Sequence, residues 1–141
     1  MNELIHIVYI SFAEKHFTPQ DLKALLGDIR PKNAERGITG LLLFQNGAFI
    51  QVIEGPSQAI HSLFEVIQKD RRHSRIVKLV EEPIEKRGFP DWSMGFRDIS
   101  ARKTSRLKGF TDLLDHPNPD QKLREITPQV RYLLKSFTKY T

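Results

Sequence analysis

Apolar and β-branched side chains crowd residues 4–11, LIHIVYIS, between polar neighbours, which predicts a buried strand. Thr18-Pro19-Gln20-Asp21 then reads as a helix start, with a hydroxyl at the N-cap and proline at the first helical position. Leu22, Leu25, Leu26 and Ile29 recur on one stripe of that helix, and Pro31 is expected to end it. Two further apolar runs, ITGLLLFQ at 38–45 and AFIQVIE at 48–54, flank Asn46-Gly47. That dipeptide favours the positive φ angles of a two-residue hairpin turn. Gly55-Pro56-Ser57 breaks the second run, and Ile60, Leu63, Phe64 and Ile67 mark the apolar face of a helix over 57–69. Strands are expected at 75–81 and, after a loop or edge segment at 84–89, at 92–98. Two more helical stretches, about 104–115 and 123–138, are separated by His116-Pro117-Asn118-Pro119.

The predicted order is β-α-β-β-α-β-β followed by two helices. That is a ferredoxin-like α+β sandwich with an added fifth strand in a mixed sheet and a helical appendix. The two-residue turn sets the hairpin register, so residue 44 opposes 49 and 42 opposes 51. Gly40, Leu42, Phe44, Phe49, Gln51 and Ile53 then share one face, and Leu41, Leu43, Ile50 and Val52 share the other. Both faces are apolar, so both must be covered. The first two helices cover one, and the amphipathic stretch from Leu123 to Phe137 suits the other.

This register buries Gln51 in a central strand. A buried amide without partners costs about 1–3 kcal/mol. The neighbouring first strand carries Tyr9, with Ser11 two positions along, and Tyr9 can lie beside Gln51, phenol to amide. Gly40, opposite Ile53, is expected to leave room beside them. The two side chains either satisfy each other or form the polar end of a ligand site. Asn33 reads by itself as a helix cap, and the cations of KDRRHSR around His73 as a solvated helix C-terminus.

Composition narrows the chemistry. Of 141 residues, 39% are hydrophobic and 28% charged, which suits one soluble core. No apolar run is long enough for a membrane span, and MNELIHIVYI lacks the features of a signal peptide, so a cytoplasmic protein is expected. The absence of cysteine excludes disulfides, thiolate catalysis and cysteine zinc sites. The net charge of +5 arises wholly within residues 101–141. The basic residues there are scattered without aromatic interleaving, so a nucleic-acid partner is not expected.

Taken together, Tyr9, Asn33 before GITGLL at 37–42, FIQVIEG at 49–55, DRRH at 70–73 and DWSM at 91–94 resemble the BLUF family, blue-light sensors that use flavin. The resemblance spans about residues 3–98. It implies a five-stranded ferredoxin-like sheet with FAD, for which FMN or riboflavin can substitute, held between the two helices. By resemblance Tyr9 matches the photoactive tyrosine, and Gln51 matches the glutamine between it and the flavin. Asn33 matches the residue that bonds the pyrimidine end of the ring. Leu25 and Ile67 match its aliphatic walls, and Arg72 and His73 match the basic residues near its polar tail. Trp92 and Met94 match the switching segment on the fifth strand, one of them approaching Gln51, and Ser11 joins this photoactive set. In the family, light drives electron and proton transfer from tyrosine to flavin through the glutamine, whose amide then rotates or tautomerises. Lys32 and Leu25 depart from the commoner residues at their positions without removing a photochemical group.

The resemblance makes residues 1–100 a photosensory domain, and the pattern of apolar faces makes 101–141 a helical extension expected to pack on the sheet. The tail is too short for a cyclase or phosphodiesterase, so a stand-alone sensor rather than an enzyme is expected. Its output would pass from the Trp92–Met94 strand through the C-terminal helices to a partner protein or a homo-oligomer. Two other classes stay open: a light-inert ferredoxin-like binding module in which Tyr9 and Gln51 only pair, and a dark flavoenzyme. The second lacks a Gly-rich phosphate loop, metal-spaced carboxylates or a nucleophile–base pair.

Overall fold

In a computed structural model, which describes residues 3–13, 18–45, 47–71, 73–98, 128, 130–132 and 134, the alternation of apolar runs becomes a five-stranded mixed sheet. The elements are β1 (Leu4–Ala13), α1 (Pro19–Arg36), β2 (Thr39–Gln45), β3 (Ala48–Pro56), α2 (Ser57–Lys69), β4 (His73–Pro83) and β5 (Gly95–Asp98). The strand order is β4-β1-β3-β2-β5, antiparallel throughout except for the parallel β2–β5 pair. This is the expected ferredoxin-like α+β arrangement with its fifth strand. The hairpin closes with Gln45 opposite Ala48 and Gly47 at φ 88°, so Leu42 faces Gln51, and on the other side of β3 Tyr9 faces Gln51.

Strand alternation sorts the apolar side chains into two cores. One contains Tyr9, Leu42, Phe44, Phe49 and Ile53 beneath Leu22, Leu25 and Leu26 of α1 and Ile60 and Phe64 of α2. The other contains Val8, Ile10, Leu41, Leu43, Ile50 and Val52, covered in part by Val130 and Leu134. Val130 and Leu134 agree with the expected C-terminal cover. The helix expected at 104–115, and most of that at 123–138, lie outside the described residues. No helix among the described residues is long and apolar enough to cross a membrane.

Helix α1 does not stop at Pro31. It starts with a reciprocal cap, Thr18 Oγ1 accepting from Asp21 N–H at 3.1 Å and Asp21 Oδ2 accepting from Thr18 N–H at 2.9 Å. It then runs through the proline to Arg36 and ends at Gly37, whose φ of 71° suits glycine. An interior proline costs about 3 kcal/mol. The turn beyond it is held by contacts that local propensity does not register: buried Asn33, and side-chain bonds from Arg30 and Asn33 to the 93–94 backbone. Gly40 also departs from expectation. A Cβ there would run into the Val52 carbonyl, so this glycine permits close backbone approach instead of opening room.

On the second face, Arg131 grips Glu82 with two guanidinium nitrogens at 2.8 and 3.2 Å, and His6 Nε2 lies 2.8 Å from the same carboxylate. The Arg131 bonds, then those of His6, hold the Glu82 carboxyl down to about 2, below its ordinary value of 4.5. A depressed carboxyl stabilises the fold above its unfolded pKa and loses that contribution as pH falls through the folded value. Acid titration should therefore weaken the attachment of the Arg131 segment between about pH 4.5 and about 2. Arg131→Ala should shrink this acid-dependent step, leaving the part due to His6, and cost no more than about 1 kcal/mol at neutral pH, because the pair is partly solvated. Denaturant melts of both proteins across that range check it.

Candidate functional site

Sheet and helices leave a cleft on the first face, between α1 and α2, of about 920 Å³ counted to its open mouth. Leu25 and Ile29 of α1 and Leu63, Val66 and Ile67 of α2 wall it. Leu42, Phe49, Tyr9, Ser11 and Gln51 form its floor, while Asp28, Lys32, Asn33, Arg36 and Asp70 complete the lining. Apolar walls with a few convergent polar groups describe a small-molecule site.

The floor answers the question of the buried amide. Tyr9 and Gln51 are register partners on β1 and β3, and the Tyr9 hydroxyl donates to Gln51 Oε1. Gln51 Nε2 donates to Met94 Sδ at 3.3 Å. These partners fix the amide's sense. Reversed, its carbonyl would face a thioether that has no proton to give. The phenol ring packs edge-on against Phe64, centroids 5.4 Å apart. Burial pushes the Tyr9 phenol well above its ordinary value, and the Asp70 carboxylate pushes the same way. Tyr9 is therefore a neutral hydrogen-bond donor at physiological pH.

Ser11 Oγ, also on the floor, is buried and has no hydrogen-bond partner. An orphaned buried hydroxyl costs about 1–3 kcal/mol, which a ligand with a polar edge would offset. A flat aromatic ring with acceptors and donors along one edge would meet aliphatic walls at Leu25 and Ile67 and polar groups at Ser11, Asn33 and Gln51. The residues present thus fit a flavin.

Trp92 and Met94 precede the fifth strand instead of lying on it, since the β2–β5 ladder begins at Leu41 opposite Gly95. Their backbone is held otherwise. The carbonyls of Trp92, Ser93 and Met94 accept in turn from Gly40 N–H at 3.0 Å, Asn33 Nδ2 at 2.7 Å and Arg30 Nε at 2.9 Å. Freed from strand alternation, the two side chains diverge. Met94 is buried in the first core against Gln51. Trp92 packs into the second, stacked on Phe89 at 5.8 Å with the Arg97 guanidinium 5.5 Å from its ring. Met94 is thus the residue of the pair that approaches the amide.

Of the expected site residues, Tyr9, Ser11, Leu25, Asn33, Gln51 and Ile67 line one cleft. Asn33 lies within α1, not after it. Arg72 and the His73 side chain lie outside the described residues. Arg30 escaped notice because its i, i+3 relation to Asn33 exists only if the helix passes Pro31.

A family model described as sensors of blue-light using FAD matches residues 4–95. The photoactivated adenylate cyclase subunit beta of Euglena longa is 37% identical over 92 residues, 64% of this chain. The chain spans only 11% of the length of that relative. Among solved structures, the dark state of BlrB, a BLUF protein, is 34% identical with a TM-score of 0.70, covering 92% of this chain and 98% of that one. Klebsiella pneumoniae BlrP1 with FMN and cyclic diGMP is 32% identical with a TM-score of 0.66, covering 91% of this chain and 34% of that one.

Proposed function

This chain belongs to the BLUF family, sensors of blue light using FAD, and from that premise we propose that it is a blue-light receptor holding flavin non-covalently in the cleft between α1 and α2. The observation that carries this reading is the Tyr9–Gln51 pair on the cleft floor, with Met94 bonded to the amide and the unsatisfied Ser11 hydroxyl on the same floor. Were Tyr9 and Gln51 merely a self-sufficient buried pair, nothing would account for that hydroxyl.

FAD is the natural cofactor, with FMN or riboflavin able to replace it, because the walls address the ring. Leu25 and Ile67 would sandwich the ring, Asn33 would bond its pyrimidine end, and Arg72 and His73 would serve the polar tail. Lys32 and Arg36 add cations to the cleft lining. When bound and excited, flavin supplies a strong one-electron oxidant. Tyr9 is the matching reductant, since its phenol can give up an electron and a proton together. Gln51 Oε1 already accepts that phenol's hydrogen bond, so the amide is the proton's first station.

An amide that turns or tautomerises loses its bond to Met94 Sδ, and the freed thioether side chain takes a second position while the 92–94 carbonyls keep their bonds to Gly40, Asn33 and Arg30. The signal then passes to the C-terminal residues, and from them to a downstream partner protein or a second copy of the chain. In this reading the cytoplasmic chain senses, while the cyclase activity named for its relatives belongs to those proteins.

Reconstitution of the purified protein with FAD, FMN and riboflavin tests the cleft assignment. Stoichiometric yellow complexes are expected. Leu25→Glu, which sets a charge in the apolar wall, should weaken uptake at least about tenfold, roughly 1.4 kcal/mol. Absence of uptake by the unmutated protein would refute the assignment.

A further inference from the structure

Glu54 is a carboxylate buried to 1% exposure in the middle of a sheet, three residues beyond Gln51 and on the opposite face. The flavin cleft does not include it. Its oxygens are nonetheless fully engaged. Oε1 accepts from Thr39 Oγ1 and from Phe89 N–H, each at 2.8 Å, and Oε2 accepts from Gly88 N–H at 2.9 Å. Arg87 completes the clasp, donating to Thr39 Oγ1 at 2.8 Å, to the Glu54 carbonyl at 3.3 Å and to the Gly37 carbonyl at 2.7 Å. Charge-assisted bonds to backbone N–H groups are among the stronger hydrogen bonds available. A non-repeating loop is here bolted to the central sheet.

What the loop carries gives the clasp a purpose. Phe89 stacks on Trp92, and its carbonyl accepts from Trp92 N–H at 3.2 Å. Two residues on, Met94 touches Gln51. On the outer side, Glu54 and Phe89 line a groove with Arg131 and Leu134 of the C-terminal segment. The peptide from 88 to 94 therefore runs from the second face to the side chain of Gln51. A shift at Met94 can either be absorbed by a yielding loop or be passed on as rigid displacement. Which happens depends on how firmly the far end is held.

We propose that Glu54 is a positioning residue for signalling: by fixing the Gly88 and Phe89 amides, it makes the 88–94 segment a stiff lever that carries the change at Gln51 to the Arg131–Leu134 surface. This rests on the photosensor reading above and names the group that couples its switch to its output.

The test compares the flavin-loaded wild-type chain with Glu54→Gln, which keeps the shape but replaces one acceptor oxygen by a donor, and with the milder Thr39→Val. Absorption in darkness and under blue light reads the switch, and amide hydrogen exchange in both states reads the lever. In darkness, Glu54→Gln should lose protection at Gly88 and Phe89. Under light it should retain the full flavin band shift, while the light-induced exchange change at 84–92 and 130–134 falls at least about fivefold. Thr39→Val should fall between. A light-induced exchange change equal to wild type in Glu54→Gln, with the band shift intact, would overturn the proposal and leave the photosensor reading standing, as would unaltered dark protection of Gly88 and Phe89. A purely structural role would lower stability and leave that change in place. No band shift in the wild type would overturn the photosensor reading, and the proposal with it.

Discussion

Tyr9→Phe is expected to keep flavin in the cleft and to lose the light response entirely. The substitution removes one oxygen. The ring that packs edge-on against Phe64 remains, and so do the walls at Leu25 and Ile67. What disappears is the oxidisable phenol and the donor to Gln51 Oε1. Phenylalanine is far harder to oxidise and has no acidic proton, so neither half of the transfer can occur. The folded state pays as well: the buried Gln51 carbonyl loses its partner, at about 1–3 kcal/mol. The expected record is a yellow protein, somewhat less stable to denaturant, whose spectrum is the same in darkness and under blue light. A normal photocycle in this variant would remove Tyr9 from the mechanism.

Gln51→Leu should likewise abolish the light-induced spectral shift, for a different reason. Tyr9 remains an oxidisable donor on the cleft floor, but its hydroxyl has lost the amide that receives its proton, and nothing can turn. Leucine is close in volume and suits a strand whose neighbours Ile50 and Val52 are buried. Contact with the Met94 side chain becomes ordinary apolar packing. The main structural cost is the stranded Tyr9 hydroxyl, again about 1–3 kcal/mol and partly offset by removing the amide itself from the core. The two variants separate the donor from the switch. Any fast electron transfer that survives should do so in Gln51→Leu, since Tyr9 is still present, and not in Tyr9→Phe. A full spectral shift in Gln51→Leu would mean another group makes the hydrogen-bond change.

The parts of the site that depend on strand register were legible in the sequence. Asn46-Gly47 pins the hairpin, and a pleated strand has no freedom to place Gln51 elsewhere than opposite Leu42. The strand beside it follows from the fold class, so Tyr9 could be set against Gln51 before any coordinates. What could not be read depends on tertiary contacts that outweigh local preference. Pro31 signals a helix end, yet Arg30 and Asn33 gain bonds to the Met94 and Ser93 carbonyls that carry the helix on. Trp92 and Met94, two residues apart, would share a face in a regular strand. They sit on opposite faces because the carbonyls from Trp92 to Met94 are taken by Gly40, Asn33 and Arg30 and the β2–β5 ladder begins only at Gly95. Gly40 looked like space and is a backbone contact. Glu54 gave a faint signal, a carboxylate ending the apolar FIQVIE run, but the two backbone N–H groups it holds lie more than thirty residues away at Gly88 and Phe89.

If the Tyr9–Gln51 pair is a light-driven switch, an absorption spectrum of the purified, flavin-loaded protein, taken in darkness, under blue light and again in darkness, will record it. The flavin band should move slightly to the red under light and return in the dark. Bound flavin whose band does not move, with Tyr9 and Gln51 both in place, would mean that the pair is no such switch.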